Sequence, residues 1–124
     1  MIASNDDVSS WVDLYRTAWE SNDPDDIRAV FTDSAVYRGR PSEAPWTGHD
    51  AIVAGWLQHA DPAGSTTFEW HRVAVEGDVA VIQCVTGYPE GPKGGTYDNL
   101  WVVRLERDGR ASEFTDWWIP RSEQ

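Results

Sequence analysis

From Thr66 to Pro120 the chain is four consecutive strand-like segments: "TTFEWHRVAVEG", "DVAVIQCVTGYP", "TYDNLWVVRLERDG" and "RASEFTDWWIP". Each is rich in β-branched and aromatic residues, which suit a pleated, half-buried surface. Gly77-Asp78 predicts a tight turn, Asp108-Gly109 is the dipeptide favoured by two-residue turns, and "EGPKGG" reads as a longer hairpin loop. Strands joined this way form an antiparallel meander, whose apolar face must be covered by something else in the chain.

The first half supplies the cover. Val8, Trp11, Val12, Tyr15, Ala18 and Trp19 recur at steps of three and four, the stripe of an amphipathic helix that stops near Asn22, with Asn5 to Asp7 as candidate caps. In "DPDDIRAVF", Asp23 caps a second short helix, Pro24 fits its first position, and Asp25 and Asp26 face the positive end of its dipole. "AVYRG" reads as a short strand and "RPSEAP" as an irregular loop, in which Trp46, just beyond, is either a lid or a packing anchor. "TGHD" has the form of a capping box on Thr47, opening a third helix over about Gly48 to Ala60 that "DPAGS" ends. Helices first and strands afterwards give an α+β fold, with three N-terminal helices over one face of a curved antiparallel sheet.

At 124 residues the expectation is one domain, 1–124, able to bury a core without staples. A net charge of −11 repels phosphate backbones and anionic lipid, so neither nucleic acid nor membrane is an expected partner. The single cysteine, Cys84, cannot form an internal disulfide, and "MIASNDDVSS" lacks the basic start and apolar run of a signal peptide, which points to the cytoplasm. His49, His59 and His71 have no metal-ligand spacing and read as surface residues. No P-loop, dinucleotide fingerprint or serine elbow is present, and "GPKGG" reads as a turn. No metal or cofactor is expected.

Eight tryptophans supply wide apolar walls that suit either a core or a ligand cavity. In "EFTDWWIP" a period of two puts Phe114, Asp116 and Trp118 on one face, and in the preceding strand Asn99, Trp101 and Val103 form one set. If the helices cover that face, Asp116 sits in an aromatic cavity where desolvation raises its pKa, as a proton shuttle or a ligand anchor. Alternatively Asp116 pairs with Arg38 or Arg104. Tyr15, on the stripe of the first helix, is either a donor into the cavity or core. Gln83 interrupts the apolar alternation of Val79, Val81 and Val85, which suggests a wet pocket. The reading is a hydrophobic small-molecule pocket walled by Trp19, Tyr37, Trp56, Trp101, Phe114 and Trp118. Asp116, Tyr15 and Arg38 are the candidate catalytic groups, and Gln83 and Asn99 the polar ligand contacts.

In order along the chain, "FTDSAVYRG", "WTGHDAI" and "RDGRASEFTDWW" resemble the nuclear transport factor 2-like superfamily, in its SnoaL-like branch with the polyketide cyclases and ketosteroid isomerases. The resemblance implies a cone-shaped, cystatin-like α+β barrel with a deep pocket, commonly dimeric through the outer sheet face. It implies a cofactor-free isomerase, cyclase or hydratase/dehydratase on an oxygenated hydrophobic ligand, or a non-catalytic binder of the same fold. Tyr15 matches the tyrosine of the first helix that donates to a steroid oxygen. Arg38 and Trp101 stand where that enzyme has its base and its second acid, so steroid isomerisation by that route is not expected. A late-sheet acid is similar to that of the cyclases, and Asp116 is the residue that fits it.

Overall fold

The structure, a computed structural model, describes residues 2–40, 42–62, 65–88 and 94–124. Helix α1 spans Asn5–Ser21, α2 Pro24–Val30 and α3 His49–Gln58; strands β1 to β6 span Phe31–Arg38, Trp46–Thr47, Thr67–Glu76, Val79–Tyr88, Gly95–Leu105 and Ala111–Pro120. The six strands form one curved, unclosed sheet in the order β2-β1-β6-β5-β4-β3, and the three helices complete a mixed α+β cone. All junctions are antiparallel except one: β1 runs parallel to β6, with Tyr37 opposite Phe114. That junction lay beyond sequence reasoning because the two strands are separated by most of the chain.

The cap of α1 is Ser4, one residue before the expected set. Its hydroxyl accepts from the Asp7 N–H at 3.1 Å and the Asp7 carboxylate accepts from the Ser4 N–H at 2.8 Å, a reciprocal capping box. The helix ends at Asn22, which takes the left-handed conformation at φ 53°. Its buried stripe is Val8, Trp11, Val12, Tyr15 and Ala18, and Trp11 reaches across to donate to the Val30 carbonyl at 3.1 Å. Asp23 caps α2 through the Asp25 N–H at 2.8 Å.

Three expectations fail in the next stretch. β1 begins at Phe31, directly after α2, rather than at Ala35. Trp46 and Thr47 form β2, with Thr47 opposite Val36, so Thr47 cannot cap α3. The residue at the cap is Gly48, whose φ of 86° turns the chain and whose N–H donates to the Ala35 carbonyl at 2.8 Å. Asp108-Gly109 lies within a five-residue connection rather than a two-residue turn, while Gly77-Asp78 does join β3 to β4 directly. Pro41 of the proline-rich loop, residues 63–64 of "DPAGS", Pro89 and residues 90–93 of "EGPKGG" lie outside the described residues.

The core lies between the sheet's inner face and the helices. Trp11, Trp101, Phe31 and Phe114 are among its largest fully buried side chains, and Trp11 meets Trp101 edge-on at 6.0 Å between ring centroids. Burying a side chain of this size stabilises by about 1.5–3 kcal/mol relative to exposure. Among the described residues no helix is long and apolar enough to cross a membrane.

Candidate functional site

Alternation along three neighbouring strands decides what faces inward. In β5 the inner set includes Asn99, Trp101 and Val103, and in β6 Phe114, Asp116 and Trp118; Trp101 lies opposite Asp116 and Asn99 opposite Trp118. In β4 the inner set is Ala80, Ile82, Cys84 and Thr86, the buried alternation. Tyr37 of β1, beside Phe114, projects inward too.

These side chains enclose a cavity in two adjoining chambers. The inner one, about 120 Å³, is walled by Tyr15 and Trp19 from α1, Trp56 from α3, and Trp101 and Thr86 from the sheet. The outer one, about 380 Å³, is walled by Trp118, Tyr97, Glu43 and Gly39. Tyr37, Trp46, His59, Tyr88, Asn99 and Asp116 belong to both. The outer volume falls in the range of about 300–1,000 Å³ usual for small-molecule sites.

Asp116 sits at the junction. Its side chain is largely buried, with one edge open to the cavity. Asn99 Nδ2 donates to Asp116 Oδ1 at 3.0 Å. Burial raises the carboxyl pKa to about 7, while the Asn99 amide and the Trp101 indole N–H pull it partly back. The indole stands near enough to favour the charged form without closing a hydrogen bond, and Trp101 Nε1 is a buried donor without a partner. Neither arginine proposed as a partner contacts the acid. Arg104 is held by Asp78 at 2.8 Å and Glu113 at 3.3 Å, and Arg38 lies opposite Thr115, on the outer alternation.

Burial first, and then the Asp116 charge, keeps the Tyr37 and Tyr88 hydroxyls protonated; burial and Tyr37, with Asp116 behind them, do the same for Tyr15. The Tyr15 and Tyr37 hydroxyls interact with one another. The cavity therefore offers neutral hydroxyl donors beside a carboxyl poised near neutrality. Cys84, also buried behind the site, has its thiol pushed up by burial and remains protonated.

Tyr15, Trp19, Tyr37, Trp56, Asn99 and Trp101 thus meet around Asp116, with Trp118 in the outer chamber. Three of the expected site residues are placed elsewhere. Gln83 is exposed on the outer face opposite Leu100, because both alternations of β4 are apolar and the buried one is the other. Arg38 is on that outer alternation as well. Phe114 is fully buried beneath the cavity, against Tyr15, Tyr37 and Trp101 at 4.8–5.7 Å, and does not line it.

Several lining residues are not among those the sequence pattern singles out. Thr86 and Tyr88 follow from the true alternation of β4. Asn22, the helix terminator, ties the inner wall together: Trp56 Nε1 donates to its Oδ1 at 3.2 Å and its Nδ2 donates to the Asp61 carbonyl at 2.9 Å. Trp46 stacks on Tyr37 at 4.8 Å and on His59 at 6.1 Å, and so is a wall rather than a free lid. His49 points away from the cavity, its Nε2 2.7 Å from the Phe31 carbonyl.

The profile of the SnoaL-like domain matches residues 11–114. The chain belongs to the SnoaL-like family. Solved structures of this cone fold agree. An NTF-2 like protein of unknown function from Burkholderia xenovorans is similar with a TM-score of 0.70 at 16% identity, covering 93% of this chain and 84% of that one. A putative ketosteroid isomerase from Kribbella flavida is similar at 0.71 and 13%, covering 96% and 82%. A steroid delta-isomerase from Pseudomonas aeruginosa follows at 0.65 and 16%, covering 99% and 87%. Identities this low show the shared fold alone. No curated protein matches closely.

Proposed function

We propose that this single SnoaL-like domain is a cofactor-free acid/base enzyme of the isomerase, cyclase or hydratase/dehydratase type, acting on a hydrophobic oxygenated small molecule. The observation that carries the reading is Asp116: a carboxyl with a pKa of about 7, without an arginine partner, at the junction of an aromatic cavity. A general base works best with a pKa near the operating pH and contributes about 10²–10⁴-fold. Tyr15 and Tyr37 would donate to the ligand oxygen, and Trp19, Trp56, Trp101 and Trp118 would hold its apolar body. The described lining has Asp61 and Glu43 besides Asp116 and no lysine or arginine, which favours an uncharged ligand over an anionic one. No metal or cofactor enters this scheme.

The test uses 2-tetralone in deuterated buffer, with exchange of its α-protons followed by NMR. Wild type should accelerate exchange and Asp116→Asn should not; equal rates for the two would remove Asp116 from the chemistry. The aromatic lining also suits a second reading, a ligand-binding domain without turnover, for which tetralone would bind and exchange at the buffer rate.

The partner in this proposal is a second copy of the chain. Gln83, Leu100 and Trp117 lie in one row across β4, β5 and β6 on the outer face, with Leu100, Trp117 and Ile119 exposed, and pairing two such faces would cover them. The compartment that suits a lone, buried, free cysteine is the cytoplasm.

A further inference from the structure

The two oxygens of the Asp116 carboxyl are not equivalent, and the difference is set two residues away. Thr86 Oγ1 donates to Asn99 Oδ1 at 2.9 Å, and Asn99 Nδ2 donates to Asp116 Oδ1 at 3.0 Å. Thr86 and Asn99 are the only buried polar residues among those described, at 2% and 5% exposure. A buried polar group without a partner is costly, and the bond between them gives the Thr86 proton and the Asn99 carbonyl oxygen a partner each.

An amide has a donor end and an acceptor end, and turning it over would exchange them. With its hydroxyl proton given to Asn99 Oδ1, Thr86 holds the NH₂ end of Asn99 toward Asp116. The Tyr88 hydroxyl, kept protonated by burial, also interacts with Thr86. The donors therefore run in one direction, from Thr86 through Asn99 to the acid.

We propose that Thr86 and Asn99 are positioning residues that fix the direction of this hydrogen-bond chain, so that Asp116 Oδ1 is capped by an amide N–H and the transferable proton sits on Oδ2. This rests on the reading of Asp116 as the proton-transfer group and adds to it which oxygen does the work. A reversed Asn99 would present its carbonyl to Asp116, repel the ionised carboxylate and hold the proton on Oδ1, on the wrong side of the acid.

The experiment is the carboxyl-carbon NMR titration of Asp116 in wild type, Thr86→Val, Thr86→Ser and Asn99→Leu. Thr86→Val keeps the shape of the side chain and removes the proton; the Asp116 midpoint should rise by about one pH unit, the size of a charge-assisted hydrogen bond lost from a carboxylate. Thr86→Ser should stay at the wild-type midpoint. Asn99→Leu should raise it as well, and adding Thr86→Val to Asn99→Leu should raise it no further. A Thr86→Val midpoint equal to wild type overturns the proposal. Should that variant not fold, the wild-type Asn99 side-chain NH₂ resonances decide: they must move with the Asp116 midpoint, and a flat response overturns the relay. A wild-type midpoint near 4 would refute the acid/base reading itself, whereas a midpoint near 7 that Thr86→Val leaves in place refutes only the relay.

Discussion

Replacing Asp116 by asparagine should make the protein more stable at pH 8 and have a much smaller effect, about 1 kcal/mol or less, at pH 4.5. In the folded state the carboxyl keeps its proton up to about pH 7, whereas in the unfolded chain it loses it near the ordinary value of 3.8. Between those values the native state binds more protons than the unfolded state, so wild-type stability falls as pH rises. A span of about three pH units at about 1.4 kcal/mol each gives about 4 kcal/mol. Solvent at the open edge of the side chain reduces this to roughly 2–4 kcal/mol. Asparagine retains an oxygen to accept from Asn99 and has no charge to bury. Its stability should therefore not follow this slope. Asp98 and Asp108, whose hydrogen bonds to Arg121 and Arg110 hold them below the usual carboxylate range, lose their contribution only as pH falls below about 4, outside the window.

The assay is urea unfolding followed by tryptophan fluorescence at half-unit steps from pH 4.5 to 8.5. With m of about 2 kcal/mol/M, the Asp116→Asn midpoint should exceed that of wild type by about 1–2 M at pH 8, and the difference should shrink to about 0.5 M or less at pH 4.5. Parallel curves would refute the reasoning, since they would mean that Asp116 ionises in the folded state as it does in the unfolded one. A variant less stable at every pH would show instead that the carboxylate is held by a favourable partner.

Two further outcomes follow from packing. A methyl group added at Gly55 would stand 2.3–2.6 Å from the Trp46 ring, so Gly55→Ala should destabilise by about 1–3 kcal/mol despite a helix-propensity gain of ~1 kcal/mol; a raised urea midpoint would show that Trp46 is not seated against α3. Trp117, 48% exposed at the centre of the outer face, should be needed for self-association. Trp117→Glu should sediment as a monomer where wild type sediments as a dimer, and a monomeric wild type would end the dimer proposal.

The fold was largely legible because its signals are local. The α1 stripe, the Asp23-Pro24 start of α2 and the alternation of β5 and β6 each lie within a dozen residues. Legibility failed where two readings were locally equal. β4 is apolar on both alternations, so its pattern offers Gln83 as an interruption of the inner face when it belongs to the outer one, and gives no local signal for Thr86, the true polar member of the inner face. The parallel seam between β1 and β6 joins residues some eighty positions apart. No short-range pattern could have turned Arg38 outward or laid Phe114 against Tyr37. Trp46 was ambiguous for the same reason: only the pairing of β2 with β1 turns a residue beyond a proline-rich loop into a cavity wall.

The placement of Trp101 directly opposite Asp116 constrains the chemistry more than any other lining residue. An enzyme with two acids can divide its work, one group taking a proton while the other, kept neutral, donates to the developing oxyanion. Here the position across from the acid is an indole, which can donate but cannot titrate, and the hydroxyls of Tyr15 and Tyr37 are held protonated by burial. In the proposed reaction one carboxyl must therefore take the proton and return it. A pKa near 4 would make Asp116 a weak base and leave it almost wholly ionised before each turnover, and one far above 7 would leave it protonated and unable to begin. A value of about 7 is the compromise needed by one acid that both takes and returns the proton, and the opposing effects that set it, burial against the donors of Asn99 and Trp101, are both built into the sheet.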